Sequence, residues 1–193
     1  LEFLRNIEEA AQQMRRIISG ILSLEHIEQI AKEGSDEALD LTTLVRKATE
    51  DEANAAHQKN QVYSQQLGDE SITVLGDPVQ LHEAISNLIS NAVKYTPENG
   101  RIEVTLQRDG SFAEFRVTDT GYGIPEGQQQ RLFSPFFRAR SKETAQIEGT
   151  GLGLHLVKNI IERHNGQMIF ASTYGQGSYF GFRLPLHQRK TRK

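Results

Sequence analysis

A glycine-rich turn before a predicted helix is one place where this sequence could bind a ligand. Residues 149–166 read GTGLGLHLVKNIIERHNG, so three glycines alternate with Thr and Leu ahead of an amphipathic run. Glycine lets the backbone approach another group closely, and the first turn of a helix has N–H groups that no helical carbonyl accepts. A phosphate could bind there, or the turn could only cap the helix. The dinucleotide motif G-x-G-x-x-G is absent because residue 154 is Leu, and no G-x-x-x-x-G-K-[ST] motif is present.

Two Asn and one Lys share a face of an earlier predicted helix. In the segment HEAISNLISNAVKYT, Asn87 and Asn91 are four residues apart, and Lys94 lies about one turn further along. Amide oxygens can ligate Mg²⁺, and an ammonium group can neutralise phosphate. These side chains could therefore bind a metal and a phosphate, or they could form an ordinary polar helix face.

An acidic residue at the end of a predicted strand is followed by two glycines. The segment DTGYGI covers residues 119–124 and completes the strand FAEFRVTD. Asp119 could accept a hydrogen bond from an exocyclic amine, and the glycines would let a flat ring lie against the backbone. An ordinary Asp-Thr-Gly turn is the alternative.

Three helices and six short strands are predicted to position these residues. Asp77-Pro78 indicates a helix start, Asn165-Gly166 a helix end, and Asp109-Gly110 a hairpin. The predicted helices cover residues 41–59, 77–95 and 150–164, and the predicted strands cover 61–67, 71–76, 101–108, 112–119, 167–174 and 178–186. This order predicts an α+β fold, a two-layer α/β sandwich with about five strands in a mixed sheet and three helices on one face. The long stretch from Gly121 to Gly149 has only the short apolar run RLFSPFF, and we expect it to be a lid.

A heptad pattern predicts one long helix over residues 1–33. Its apolar stripe consists of Phe3, Ile7, Ala10, Met14, Ile17, Ile21 and Leu24, with Leu4, Ala11 and Ile18 beside it. One helix cannot bury such a stripe alone, so we expect a coiled-coil or bundle helix that associates with another helix. A surface helix packed on its own domain is the alternative. Residues 34–40 are predicted to be a linker, and the basic residues 188–193 a tail.

In order and spacing, these motifs resemble the catalytic ATP-binding domain of sensor histidine kinases, in the gyrase, Hsp90, histidine kinase and MutL ATPase superfamily. The matching segments are the N box NLISNAVKYT, the G1 box DTGYGI, the F box FSPFFR, the G2 box GTGLGL and the glycine pair Gly175 and Gly177. The resemblance covers residues 40–187 and implies an ATP-binding catalytic domain over 41–187. The lead helix, which ends in ILSLEHIEQI, resembles the second helix of that family's dimerisation and phosphotransfer domain.

The resemblance implies roles for the motif residues. Asp119 would bind the adenine amine, Tyr95 would pack near the ring, and Asn91 would ligate Mg²⁺. The implied nucleotide-binding residues are Asn91, Tyr95, Asp119, Gly121, Gly123, Ile124, Gly149, Thr150, Gly151, Leu152, Gly153 and Leu154, and the implied catalytic residues are Asn87, Lys94 and Arg138. The F-box residues Phe133, Phe136 and Phe137 would anchor the lid.

The implied activity is that of a two-component histidine kinase. Asn87 would lie near the phosphates, Lys94 would contact them, and Arg138 would bind the γ-phosphate of ATP. That phosphate would pass to a His and then to an Asp of a response-regulator receiver domain. The implied ligands are ATP and Mg²⁺, and the implied assembly is a homodimer through the lead helix and a partner helix missing from this chain.

The phosphate-accepting His of that family is not recognisable in this sequence. The histidines are His26, His57, His82, His155, His164 and His187. None stands in an H box on a first dimerisation helix, and His26 is followed by Ile27 rather than by an acidic residue. His164, before Asn165-Gly166, is predicted to end a helix. We therefore expect the acceptor to lie outside this chain and the chain not to phosphorylate itself.

Two other functions stay open. The chain could be a non-catalytic dimerising interaction module on a degenerate ATP-binding fold, or a slow ATPase or serine kinase of the same superfamily. Hydrolysing members carry a Glu one helical turn before the Mg²⁺-binding Asn, as the general base for water. Here that position is Asn87, and Glu83 lies a further turn back, so the residues favour phosphoryl transfer over hydrolysis.

Composition limits the remaining classes. A chain of 193 residues with 37% hydrophobic and 24% charged residues fits one globular domain with an appendage. The net charge of −3 gives no attraction to nucleic acid, and no apolar run approaches the roughly 18 residues of a membrane helix. The sequence lacks Cys and a signal peptide, so we expect a cytoplasmic domain without membrane contact, although the parent protein could be membrane-attached. The chain begins without Met, so we expect it to be part of a longer protein.

Overall fold

The computed structural model describes residues 35–68 and 70–187. The predicted lead helix over residues 1–33 and the predicted tail over residues 188–193 lie outside the described residues. Within the described part of the chain, no helix combines the length and the apolar character that crossing a bilayer requires.

The described residues form four helices and seven strands, which are joined by turns and loops. The helices are α1 (Leu41–Gln58), α2 (Pro78–Tyr95), α3 (Glu126–Gln129) and α4 (Gly153–Arg163). The strands are β1 (Glu37–Asp40), β2 (Val62–Gln66), β3 (Thr73–Gly76), β4 (Arg101–Asp109), β5 (Phe112–Asp119), β6 (Gln167–Thr173) and β7 (Gly177–Pro185).

Five of the strands form the main sheet, in the order β2-β4-β5-β7-β6. β2 is parallel to β4, and the other neighbours are antiparallel. The helices α1, α2 and α4 share one hydrophobic core with this sheet. Phe115 and Phe182 lie in that core with ring centroids 5.0 Å apart. The prediction of a two-layer α+β sandwich with a mixed five-stranded sheet and three helices is confirmed.

The other two strands differ from the predictions. β1 pairs antiparallel with β3, so that Glu37 lies opposite Gly76 and Asp40 opposite Thr73. Part of the predicted linker over residues 34–40 is therefore a strand, and the predicted strand SITVLG pairs with it rather than joining the main sheet. A strand of four residues in which only Leu39 is buried is too short to show an alternating pattern.

The residue signals at the ends of α2 and β4 act as predicted. The Asp77 carboxylate caps α2 by accepting hydrogen bonds from the N–H groups of Val79 (2.9 Å) and Gln80 (3.0 Å). Gly110, with φ of 59°, lies in the tight turn that joins β4 to β5. At its other end, α2 lies beside the end of β5, where the carbonyl oxygen of Tyr95 accepts a hydrogen bond from the N–H of Tyr122.

Candidate functional site

A cavity of about 410 Å³ lies where α2, β5 and β7 meet the segment 121–154. Two of the predicted site residues, Gly121 and Leu152, do not line this cavity. The predicted residues that do line it are Asn87, Asn91, Lys94, Tyr95, Asp119, Gly123, Ile124, Arg138, Gly149, Thr150, Gly151, Gly153 and Leu154. The motifs are distant in sequence, so their meeting around one cavity is a property of the fold.

One part of the cavity is built around a buried carboxylate. Asp119 is 9% exposed, and its Oδ1 accepts a hydrogen bond of 2.8 Å from the N–H of Gly121. Burial raises the pKa of Asp119 to about 6, while the backbone N–H groups of Gly121 and Ser178 act in the opposite direction. A carboxylate in this setting can accept a hydrogen bond from a ligand amine with little competition from water.

The G1-box glycines have a structural role beside this carboxylate. A Cβ on Gly121 would lie 2.6 Å from Asp119 Oδ1 and 2.6 Å from the carbonyl oxygen of Tyr95. Gly123 has φ of 63°, and a Cβ there would lie 2.0 Å from the carbonyl oxygen of Thr173. Gly121 therefore packs closely behind the cavity without lining it, and its contact with a nucleotide stays a prediction.

The amides of α2 lie near the start of α4. The Nδ2 of Asn87 donates to the carbonyl oxygen of Glu83 at 3.1 Å, so the Oδ1 of the same amide faces away from Glu83. That oxygen is 2.7 Å from the position of a Cβ on Gly153, and Asn91 Nδ2 is 3.9 Å from the same position. The absence of a side chain at residue 153 thus lets α4 approach both amides closely.

Two cationic groups meet beside Gly149. A Cβ on Gly149 would lie 3.1 Å from Lys94 Nζ and 3.7 Å from Arg138 Nε. Burial and the neighbouring Arg138 lower the pKa of Lys94, and Glu148 partly opposes this shift. Arg138 donates from Nη2 to the carbonyl oxygen of Ile147, while its buried Nε has no partner among the described residues. Adjacent cations with an unused N–H donor are suited to binding an anion.

The helix start beside these cations lies later than predicted. α4 begins at Gly153 rather than at Thr150, because Gly151 has φ of 77° and cannot be helical. A Cβ on Gly151 would lie 2.7 Å from the carbonyl carbon of Phe136, so this glycine packs against the F box. No side chain caps the first N–H groups of α4, which therefore stay available to a ligand.

Side-chain hydrogen bonds connect parts of the predicted lid to each other and to the body of the domain. Gln128 in α3 donates to the carbonyl oxygen of Arg140 (3.0 Å) and accepts from the N–H of Arg140 (2.8 Å). The Tyr174 hydroxyl donates to Glu143 at 2.9 Å. The ring of His155 in α4 lies 3.1 Å from the carbonyl oxygen of Phe133. These contacts hold the segment 128–143 over one side of the cavity.

The three F-box phenylalanines have different surroundings. Phe133 packs edge-on against Phe170 with a centroid distance of 5.5 Å. Phe137 lines the cavity and stacks under the Arg131 guanidinium at 4.6 Å. Phe136 is 46% exposed and has φ of 61°. Phe133 therefore anchors the lid as expected, whereas Phe136 does not.

Several cavity residues were missed by the sequence analysis. Ser178 lines the cavity, and its hydroxyl lies 2.9 Å from that of Ser172, which accepts from the N–H of Ile124 at 2.8 Å. Tyr122 and Arg140 also line it. Ser178 follows Gly177 in the last strand, but no local pattern marks it as a cavity residue.

The sequence of this chain is similar to those of known proteins. The family model described as "Histidine kinase-, DNA gyrase B-, and HSP90-like ATPase" matches residues 76–188. Sensor histidine kinase RppB of Synechocystis sp. is 32% identical over 183 residues, which is 95% of this chain and 40% of RppB. Sensor histidine kinase RcsC of Escherichia coli is 40% identical over 119 residues, which is 62% of this chain and 12% of RcsC. The chain thus spans less than half the length of these relatives.

Solved structures show the same fold. The mycobacterial sensor histidine kinase MprB is similar with a TM-score of 0.67 and 28% identity, over 80% of this chain and 100% of that chain. Full-length ShkA, determined in complex with AMPPNP, is similar with a TM-score of 0.73 and 28% identity, over 90% of this chain and 36% of that chain.

Proposed function

The chain belongs to the histidine kinase-, DNA gyrase B- and HSP90-like ATPase family, and we propose that its cavity binds ATP for transfer of the γ-phosphate to a histidine. The observation that carries this proposal is the division of one cavity into two chemically different parts. Asp119 provides a buried acceptor in one part. Lys94, Arg138 and the start of α4 provide cations and N–H donors in the other.

The spacing of the two parts along α2 suits a nucleoside triphosphate. Tyr95 lies beside Gly121 and Asp119, whereas Asn87 lies beside Gly153. Eight residues of helix separate Tyr95 from Asn87, a rise of about 12 Å. We infer that the adenine ring lies against Asp119 and Tyr95, with its exocyclic amine donating to the carboxylate. The phosphates then extend along α2 toward Gly153.

The phosphate end has donors of the right kind. Lys94 and the unpaired Nε of Arg138 are close enough to act on one anion, and an anion between them would relieve their mutual repulsion. The free N–H groups at the start of α4 add further donors. We assign Arg138 to the γ-phosphate and Lys94 to the phosphate chain.

Mg²⁺ fits this donor set. Among the described residues, no group of three His, Cys, Asp or Glu side chains could hold a metal ion. Mg²⁺ is commonly held by one or two protein oxygens together with substrate phosphates and water, so such a group is not required. We propose Asn91 as the protein ligand, with Asn87 nearby. When bound, Mg²⁺ would neutralise charge on the phosphates.

Phosphoryl transfer suits the cavity better than hydrolysis. Within the described residues, Asp119 is the only carboxylate that lines the cavity, and it lies at the adenine end. Glu83 contacts Asn87 through its backbone oxygen and does not line the cavity. In the part of the chain that the structure describes, no carboxylate therefore lines the phosphate end of the cavity, where a proton would have to be taken from water. In the transfer reaction, an imidazole nitrogen bonds to the γ-phosphorus as the bond to the bridging oxygen breaks, and ADP leaves.

The acceptor and the partners are proposed from family membership. No histidine of the described residues lines the cavity, which supports an acceptor elsewhere in the parent protein. We propose onward transfer to an Asp of a response-regulator receiver domain, dimerisation through residues 1–33 and a partner helix, and a cytoplasmic location where ATP is present. The chain by itself is then expected to acquire no acid-labile phosphate.

Calorimetric titration of the 193-residue chain with ATP, with and without Mg²⁺, tests the proposal. We expect Mg²⁺-dependent binding that Asp119→Asn abolishes. Failure of the unsubstituted chain to bind would instead favour a non-catalytic interaction module. Steady phosphate release that Asn87→Ala abolishes would contradict transfer and indicate a slow ATPase.

A further inference from the structure

The end of α2 needs partners for four backbone carbonyl groups. Lys94 and Tyr95, which the proposed function assigns to the nucleotide, belong to this last turn. The carbonyl oxygen of Ala92 accepts from the N–H of Thr96, so the helix's own hydrogen bonds end there. The carbonyl groups of residues 93–96 have no later helical N–H to accept from, and they must find other donors.

Two side chains from the turn after α1 supply most of these donors. Lys59 Nζ donates to the carbonyl oxygens of Val93 (2.7 Å), Lys94 (3.2 Å) and Thr96 (2.6 Å). Gln61 Nε2 donates to those of Val93 (3.0 Å) and Thr96 (2.7 Å). An ammonium group in this place also faces the negative end of the helix dipole, which adds to the stabilisation.

The remaining carbonyl group connects the helix to the G1 box. The carbonyl oxygen of Tyr95 accepts from the N–H of Tyr122 at 3.2 Å, and it packs against Gly121. The last turn of α2 is therefore held from the α1 side by Lys59 and Gln61 and from the nucleotide side by the G1 box. A shift of this turn moves Lys94, Tyr95 and the G1 segment together.

The backbone that carries the two donor side chains is itself held by hydrogen bonds. The backbone carbonyl oxygen of Lys59 accepts a hydrogen bond of 3.2 Å from the N–H of Asn99. Gln61 is 4% exposed, and its N–H donates to the carbonyl oxygen of Ala56 at 3.1 Å. Val62 then joins the sheet through a hydrogen bond to Gly100 at 2.8 Å. The turn is thus a rigid support for the helix end.

We propose that Lys59, assisted by Gln61, is a positioning residue of the nucleotide site, which it reaches only through the backbone of α2. Neither residue lines the cavity. Lys59 holds the carbonyl groups of residues 93, 94 and 96, and thereby sets where the Lys94 ammonium and the Tyr95 ring face the ligand. This inference rests on the proposed function, because it concerns the same site.

The test compares Lys59→Met with Lys47→Met in the 193-residue chain. Both variants remove one ammonium group in or just after α1. Lys47, however, is exposed on α1 and makes none of the hydrogen bonds to the end of α2. Calorimetry well below the unfolding temperature gives the affinity for Mg²⁺-ATP. We expect Lys59→Met to weaken it by about tenfold, which is the size of effect expected when one hydrogen bond to a charged group is lost. Lys47→Met should leave it unchanged, and Lys59→Arg, which keeps charge and donors, should restore part of it.

Amide hydrogen exchange without nucleotide gives a second readout. Lys59→Met should increase exchange at the N–H of Thr96, which donates to Ala92, and at the N–H of Tyr122, which donates to Tyr95. The amides of β5 should keep their protection. A lower unfolding temperature with unchanged ATP affinity would overturn the proposal and leave Lys59 a purely structural residue. If the unsubstituted chain does not bind ATP, the proposed function fails instead. The exchange data would then still decide whether Lys59 orders the turn.

Discussion

In the proposed function, Asp119 combines recognition of adenine with an energetic cost to the unliganded protein. It is a nearly buried carboxylate with a pKa of about 6, and burial is the main cause of that value. Only its ionised form can accept a hydrogen bond from the adenine amine through either oxygen. The same residue is therefore expected to control both the pH dependence of ATP binding and part of the pH dependence of stability.

ATP affinity should fall as the pH drops through about 6. Protonation of Asp119 replaces an acceptor with a donor, so binding should be full above this value and weaken below it. Calorimetric titrations at several pH values check this. Glu126→Gln, which changes an exposed carboxylate outside the cavity, should leave the profile unchanged.

An Asp119→Asn protein should prefer inosine triphosphate, whose ring carries a carbonyl group where ATP has the amine. Retained ATP preference would contradict the assigned contact.

Asp119→Asn should stabilise the protein in the absence of nucleotide. A carboxyl group whose pKa is raised on folding contributes most stability below its unfolded value and loses it as the pH rises through its folded value. For Asp119 that range runs from 3.8 to about 6. At pH 7.5 the substitution should therefore raise the free energy of unfolding by about 1–3 kcal/mol. Urea unfolding measures this, and the gain should disappear near pH 4. A loss of stability at pH 7.5 would show that the hydrogen bonds to Asp119 outweigh its burial.

Gly153→Ala should weaken nucleotide binding while the domain stays folded. Its Cβ would lie 2.7 Å from Asn87 Oδ1 and would displace that amide or shift α4. We expect about a tenfold loss of Mg²⁺-ATP affinity, because the proposed metal and phosphate contacts would move. Gly127→Ala is the matched control, since a Cβ at residue 127 meets nothing within 4 Å. Equal affinities for the two variants would argue against the assignment of Asn87 to the site.

At the scale of elements, side-chain signals at helix ends and turns predicted the fold well. Asp77 caps α2, and Asn165, with φ of 57°, follows the end of α4 as Asn-Gly predicts. The start of α4 was predicted too early, because the sequence does not reveal that Gly151 has positive φ. β1 was missed because its stability comes from pairing with β3, a contact between distant residues that has no local pattern.

The lid contacts predict a local effect of Gln128→Glu. Gln128 pairs with both backbone groups of Arg140, and a carboxylate could not donate to that carbonyl oxygen. Loss of about 1 kcal/mol of hydrogen bonding should increase trypsin cleavage after Arg140 or Lys142 by about fivefold. Gln130→Glu makes the same chemical change at an exposed neighbour and should leave cleavage unchanged. Mg²⁺-ATP should slow cleavage in all three proteins. Equal cleavage of the Gln128 and Gln130 variants would show that other contacts hold the lid.

At the scale of the whole molecule, the order of the motifs was more informative than any one of them. The glycine turn, the Asn pair and the Asp-x-Gly segment each had an ordinary structural alternative, but the fold brings all three to one cavity. Residues such as Lys59 and Ser178 could not be found in this way. Their importance depends on which backbone groups lie opposite them, and that is set by how α1, α2 and β7 pack.

Nucleotide binding should appear as an increase in the stability of the whole domain. A ligand that binds only the folded state adds about 2.7 kcal/mol at a concentration of 100 times its Kd. For a domain of this size, that corresponds to a rise in Tm of about 5–10 °C. Thermal unfolding of the 193-residue chain with ATP and Mg²⁺ measures this rise in Tm.

Asp119→Asn should abolish the rise in Tm, and omission of Mg²⁺ should reduce it, whereas Lys47→Met should retain it in full. A shift that Asp119→Asn leaves intact would mean that ATP binds outside the cavity. The proposed assignment of the adenine and phosphate contacts would then be wrong even though the fold is that of the family.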